Sequence, residues 1–282
     1  MSVDEGQPVG RVSELLVTAT KGFALHSVPS IEVDRTRIVG NREFFLVDVD
    51  DYLYSVPRDP VFLSWWTAFD RSAGTFSIGH GTRVVASAPI EHPDPVGVFR
   101  LDDRTVQAWP CPGPWDAILS TLAGRDLRLV QCAGTEGGHD VYPVTVVSTA
   151  SLAALGTERD GTPVDPRRFR LNLTLDLGGT PFIEDAWEGR EIAVGTCRLR
   201  VRESVPRCLA VEHRPADGDR ALQMQKRIRE VRGATPSRWG PNVPFGCYAE
   251  VLQPGIVQLD DPVLLVPPPA DPVDIEHGEA PR

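Results

Sequence analysis

EIAVGTCRLRVRESVPRCLAVE, residues 191–212, sets short runs rich in aliphatic and β-branched residues between a glycine turn and a proline stop. Glu191 to Val194, Arg198 to Val201 and Cys208 to Glu212 each have the length and composition of a β-strand. Working outward, the same style recurs downstream at Tyr248 to Val251 and Val263 to Val266 and upstream at Arg170 to Asp176. It recurs again at Val12 to Thr18, Arg42 to Val49, Thr75 to Ile78, Arg83 to Ala88 and Asp126 to Gln131. The 25 glycines and 26 prolines punctuate these runs in the manner of a barrel or sandwich. Helical patterning is scarcer. It predicts helices over Trp115 to Leu122, over Thr149 to Leu155 with Ser148 or Thr149 as cap, and over Leu222 to Val231. The fold expected is therefore mainly β, an α+β chain with a few short helices.

At 282 residues the chain has room for two modest domains. The Gly-rich, polar run from Cys132 to His139 is the natural boundary. The expected organisation is a flexible N-terminus over 1–10, one β domain over 11–135, a second over 136–266, and a disordered Pro-rich acidic tail over 267–282. A net charge of −10 argues against nucleic acid as a main partner, because a polyanion needs a basic face. No apolar run is long enough to span a bilayer, and Met1 to Gly6 is too polar for a signal peptide. Five cysteines, an odd number without tight clustering, fit a reducing cytoplasm better than a disulfide scaffold or an iron–sulfur site. Any electrons the protein uses must then arrive from another chain.

Chemistry concentrates at Pro206-Arg207-Cys208 and at Arg168-Phe169-Arg170-Leu171-Asn172. A thiolate is the ligand that soft metals select, and guanidinium forks bind phosphate bidentately. The pair of segments suggests a thiolate ligand beside an anion pocket. Each residue also has a plainer reading. Cys208 would serve as a buried strand thiol, Arg168, Arg170 and Asn172 as one solvated strand face, Lys21 as a surface lysine, and Arg42 as a partner of Glu43 or Asp48. His213 has an acid–base pKa range but equally suits a strand end facing water. Cys247 could face Cys208 or simply fill the core.

With these residues in place the chain resembles the MOSC superfamily, in the branch that carries an N-terminal β-barrel and includes the mitochondrial amidoxime-reducing component. The resemblance rests on Thr20-Lys21-Gly22, Gly40 to Asp48, Tyr142-Pro143 leading into Val147 to Leu152, and Arg168 to Asn172. It continues through Phe182 to Trp187, Pro206-Arg207-Cys208, and Phe245 to Glu250. It implies an N-terminal β-barrel-like domain, a MOSC β-barrel and a molybdenum cofactor (molybdopterin). Cys208 would be the metal ligand. Lys21, Arg42, Ser148, Arg168, Arg170 and Asn172 would contact phosphate and pterin, with Arg207 favouring the thiolate. The implied activity is reduction of N-oxygenated small molecules by an enzyme fed from an external electron-transfer protein, with His213 or Arg214 meeting the substrate. Sulfur transfer through a Cys208 persulfide and non-catalytic cofactor binding are the alternatives. Val205 stands where the family often has a second cysteine, and Glu212-His213-Arg214-Pro215 departs from the usual downstream stretch.

Overall fold

The computed structural model describes residues 6–57, 59–101, 103–220, 222–237 and 240–267. The expected tail therefore lies, from 268 onward, outside the described residues, as do residues 1–5. Strands account for 42% of the structure against three α-helices, which makes the chain mainly β.

Seven strands close a barrel in the order Leu173–Asp176, Val144–Ser148, Pro244–Gln253, Cys197–Pro206, Glu191–Val194, Pro262–Leu265 and Gln7–Val17, which returns to Leu173–Asp176. The closing register sets Arg11 opposite Asp176 and Leu15 opposite Leu173. The pairing of Val144–Ser148 with Leu173–Asp176 is parallel and the other barrel pairings are antiparallel. Closure leaves no unpaired edge for another chain to join. Side-chain alternation decides what fills the interior. Along Cys197–Pro206, Cys197, Leu199 and Val201 are buried, while Arg198, Arg200 and Arg202 lie outside among Glu191 and Glu250.

The strand Gln7–Val17 corrects the expected organisation. It includes residues 7–10, assigned above to a flexible end, and it pairs with strands from beyond residue 170. The barrel is thus not confined to 136–266. Between its first and second contributions the chain builds a four-stranded sheet, in the order Phe44–Val47, Arg128–Cys132, Arg104–Pro110, Gly97–Leu101. A three-stranded sheet of Trp65–Asp70, Thr75–His80 and Arg83–Pro89 accompanies it. Phe44, Phe76, Trp115 and Leu119 share one buried core there.

The three expected helices form, as α1 (Pro114–Ala123), α2 (Thr149–Ala154) and α3 (Met224–Arg232). Pro114 opens α1 at a position needing no N–H, and Gly124 at φ 62° ends it in the left-handed region. The Ser148 hydroxyl caps α2 by accepting from the Ser151 N–H at 3.1 Å.

Two strand expectations fail where the site lies. Pro206 sits opposite Pro244, so neither side supplies an N–H there, and one last bond, from the Arg207 N–H to the Val243 carbonyl at 3.0 Å, ends the pairing. The chain beyond forms a 3₁₀ turn, Leu209–Glu212, with Cys208 at its N-cap. Upstream, Pro166 and the Asp165 carboxylate, which accepts from the Arg167 N–H at 2.9 Å, start a 3₁₀ turn over Pro166–Phe169. Arg170 ends it at φ 56°, and the strand begins only at Leu173.

Candidate functional site

A cavity of about 290 Å³ opens between the barrel and the N-terminal sheets. Six residues singled out from the sequence, Lys21, Arg42, Arg168, Arg170, Arg207 and Cys208, line it. Phe169, Leu171, Val211, Tyr248 and Val56 supply an apolar face.

Backbone constraints aim each cation. Lys21 follows a bridge of Thr20 to Phe44, and its N–H donates to the Phe44 carbonyl at 2.8 Å. Its Nζ donates to the Gly138 carbonyl at 3.1 Å and pairs with the Asp140 carboxylate. Arg42 holds φ 52°, with its N–H on the Thr18 carbonyl at 2.6 Å and its own carbonyl accepting from the Gly138 N–H at 2.6 Å. Its Nη1 stands 3.9 Å from Asp140, and its buried Nε has no hydrogen-bond partner among the described residues. Arg42 pairs with neither Glu43, which faces Arg71, nor Asp48. Arg170 donates from Nη2 to the Phe23 carbonyl at 2.8 Å. Arg207 donates from Nε to the Phe245 carbonyl at 2.9 Å and from Nη1 to the Phe169 carbonyl at 2.8 Å.

The electrostatics are one-sided. Burial, followed by the neighbouring charge of Arg42, pushes Arg170 down to about 9. Burial likewise pushes Arg207 down to about 10 against the pull of Tyr248 and Cys208. Burial raises the Asp140 carboxyl, but Lys21 and Arg42 outweigh it and hold the acid well below the usual carboxylate range. Of the five cations lining this wall, Lys21 and Arg42 pair with Asp140 and Arg168 pairs with Glu158. Such a wall, with an orphaned guanidinium nitrogen, suits an anionic ligand able to accept charge-assisted hydrogen bonds.

Cys208 is exposed at this wall, whereas Cys111, Cys132, Cys197 and Cys247 are buried. The plain reading as a buried strand thiol does not hold. Burial pushes the Cys197 thiol up to about 12 and the Cys132 thiol up to about 11, so those sulfurs stay protonated core groups. Cys247 does not face Cys208. It is 1% exposed and its sulfur lies 3.7 Å from the Glu184 carbonyl.

The other expectations separate. Arg168 borders the cavity, but its Nη2 pairs with Glu158 at 2.7 Å and its Nη1 donates to the Val211 and Glu212 carbonyls at 3.2 Å each. It braces the turn after Cys208 rather than offering a free fork. Ser148 is fully buried in its capping role. Asn172 bonds the Thr145 hydroxyl at 3.0 Å and the Leu16 carbonyl at 3.1 Å, so it reaches the cavity only through Thr145. His213 is buried and its Nδ1 meets the Gly218 carbonyl at 3.1 Å. Arg214 pairs with Asp217 and with Asp160 at 3.4 Å and faces a different groove. Neither His213 nor Arg214 lines the cavity, because Arg168 draws the turn carbonyls inward and directs the following residues away.

Asp140 and Gly138 carry site contacts that the sequence reading missed. Their segment is not a linker: Arg104 Nη2 donates to the Gly137 carbonyl at 2.9 Å, and Gly138 packs on Arg42. A Cβ at position 138 would stand 2.9 Å from the Arg42 carbonyl, so glycine permits that approach. Among the described residues no three His, Cys, Asp or Glu side chains gather as a metal-binding group.

The chain is similar in part to known proteins. Residues 134–264 match the model of the MOSC domain. Mitochondrial amidoxime-reducing component 1 from Homo sapiens is 28% identical over 131 residues, which cover 45% of this chain and 38% of the relative. The Mus musculus protein of the same name is 28% identical over 131 residues, covering 45% and 37%. The match thus spans less than two-fifths of the curated relatives' length. Among solved structures, the YUAD protein from Bacillus subtilis aligns with a TM-score of 0.43 at 12% identity over 91% of this chain and 94% of its own. YiiM from Geobacillus stearothermophilus aligns with a TM-score of 0.30 at 18% identity over 44% and 54%. Residues 134–264 of this chain are thus similar to the MOSC domain.

Proposed function

We propose that the cavity holds a molybdenum cofactor and that the protein reduces N-oxygenated small molecules with electrons from a separate carrier protein. The observation that carries this reading is the exposed Cys208 thiol on the same wall as Lys21, Arg42, Arg170 and Arg207. When bound, the group supplies two-electron redox chemistry at its metal. The chain would contribute the Cys208 sulfur as one ligand, a soft donor suited to that metal. Lys21, Arg42 and Arg170 would hold the phosphate, and the apolar face of Phe169, Leu171 and Val211 would exclude water from the organic ring system. For an N-hydroxyl substrate the balance is R–NHOH + 2 e⁻ + 2 H⁺ → R–NH₂ + H₂O. Lys21, Arg42 and Tyr54 face the cavity from the N-terminal segments, with Asp140 paired to Lys21.

The test is elemental analysis of purified protein joined to reduction of a panel of hydroxylamines, amidoximes and N-oxides. Stoichiometric molybdenum with an oxidisable pterin and turnover of the panel supports the reading. Sulfur released by cyanide without molybdenum supports instead a persulfide on Cys208, the one exposed cysteine among the described residues. Intact pterin without turnover supports a cofactor carrier.

A further inference from the structure

Helix α3 is a basic element in an acidic protein. It carries Lys226, Arg227, Arg229 and Arg232 against Glu230, in a chain with 29 basic and 39 acidic residues. Two of these cations point inward: Arg227 donates to the Leu155 carbonyl at 3.0 Å and Arg232 to the Asp185 carboxylate at 3.0 Å. Lys226 stands 3.9 Å from Glu230 with both side chains largely in solvent, a pairing of little consequence. Arg229 and Arg220 are exposed and have no ion-pair partner among the described residues. Together Arg220, Lys226 and Arg229 rim a groove of about 360 Å³.

At the groove lies Leu209, 48% exposed, the residue after Cys208. Consecutive α-carbons stand about 3.8 Å apart. The groove and the cavity thus border one ridge at Cys208 and Leu209, with the thiol on the cavity side. The ridge is fixed to the helix. The Gln225 side-chain amide donates to the Arg207 carbonyl at 2.7 Å, and the Glu212 carboxylate accepts from the Met224 and Gln225 N–H groups at 2.7 and 3.0 Å. Glu212 also borders the groove, so three cations there face one carboxylate held at the helix start.

We propose that this groove docks the electron donor, an acidic electron-carrier protein whose prosthetic group approaches Leu209 and delivers electrons across the Cys208 ridge. Leu209 gives this otherwise polar groove one exposed apolar contact, and apolar contacts inside a polar rim are the usual anatomy of a protein interface. The cations gathered at this groove attract an acidic partner face locally, although the chain as a whole carries a net charge of −10. The carrier is oxidised by one electron at each of two visits, and the two electrons meet the two-electron need of N–O reduction. This docking role rests on the reductase reading above.

The experiment is a titration of the full protein with an acidic [2Fe–2S] ferredoxin, followed by the same titration of the Arg220→Glu/Arg229→Glu variant. Binding by the wild type is expected to weaken steeply as salt rises. The variant is expected to lose about tenfold or more in affinity. Absence of wild-type binding, or equal binding by the variant, overturns the docking assignment. Turnover driven by reduced methyl viologen, which needs no docking, is measured alongside and is expected to be equal in both proteins. Its absence in the wild type counts against the reductase reading and leaves the titration to decide the groove.

Discussion

The Nη2 of Arg42 donates a 2.8 Å hydrogen bond to the main-chain carbonyl of Arg170, joining residues 128 positions apart. Both hold left-handed backbones, at φ 52° and φ 56°. Each arginine is thereby turned away from the strand direction and into one cavity wall. The arrangement concentrates positive charge where the backbone alone would scatter it.

Arg170→Asn keeps a residue that tolerates the left-handed region and removes the charge. It is expected to fold as the wild type does and to bind inorganic phosphate several-fold more weakly by calorimetric titration. Arg170→Val loses the same charge and adds backbone strain. Denaturant unfolding is expected to find it about 1–2 kcal/mol less stable than Arg170→Asn. Equal stability of the two would remove the backbone argument.

Asp140 neutralises part of the cationic wall through Lys21 and Arg42. Asp140→Asn therefore frees both for an incoming anion. Phosphate is expected to bind the unloaded variant several-fold more tightly than the wild type, with the difference shrinking at high salt. Weaker phosphate binding in the variant would mean that Asp140 positions Lys21 rather than competing for it.

His139 carries a pH signature. Burial first, then Arg104, Arg42 and Lys21, push it down to about 3 against a weak pull from Asp140. The unfolded chain protonates this residue near pH 6.5, whereas the folded chain resists doing so until about 3. The stability from its neutral form is complete above about pH 6.5 and declines as pH falls toward about 3. The thermal midpoint is expected to drop between about pH 7 and about pH 5, and His139→Gln is expected to flatten that drop.

The Arg168–Glu158 pair lies deep, with side chains 1% and 6% exposed. Glu158→Gln leaves a buried guanidinium uncompensated and is expected to cost about 3–5 kcal/mol in denaturant unfolding. Arg168→Met removes charge and fork together and is expected to cost less against a Glu158→Gln background than alone. Additive costs would show that the two side chains do not act as a pair.

Much of the fold was legible because the barrel obeys simple patterning. Glu191–Val194 matches its expected bounds, and the three helices fall within a few residues of theirs. The role of Gln7–Val17 was not legible, since strand pairing across 160 residues leaves no local trace in either partner. At the site, Lys21, Arg42, Arg170, Arg207 and Cys208 could be chosen from residue type and motif. The turn at Cys208 could not, because it depends on Pro206 meeting Pro244 from another strand. His213 and Arg214 were attractive by nearness in sequence to Cys208, yet a 3₁₀ turn and the Arg168 brace direct them elsewhere. Asp140 was missed because a lone aspartate after a Gly-rich run reads as loop. Its value arises only when Lys21 and Arg42 arrive from the other end of the chain.

The most direct measurement is molybdenum-edge X-ray absorption on the wild type and on Cys208→Ser, each purified with its pterin content determined. The account expects both proteins to retain pterin through the cationic wall, with the variant showing one fewer sulfur bound to the metal. An unchanged sulfur count in Cys208→Ser, at equal molybdenum content, would contradict it.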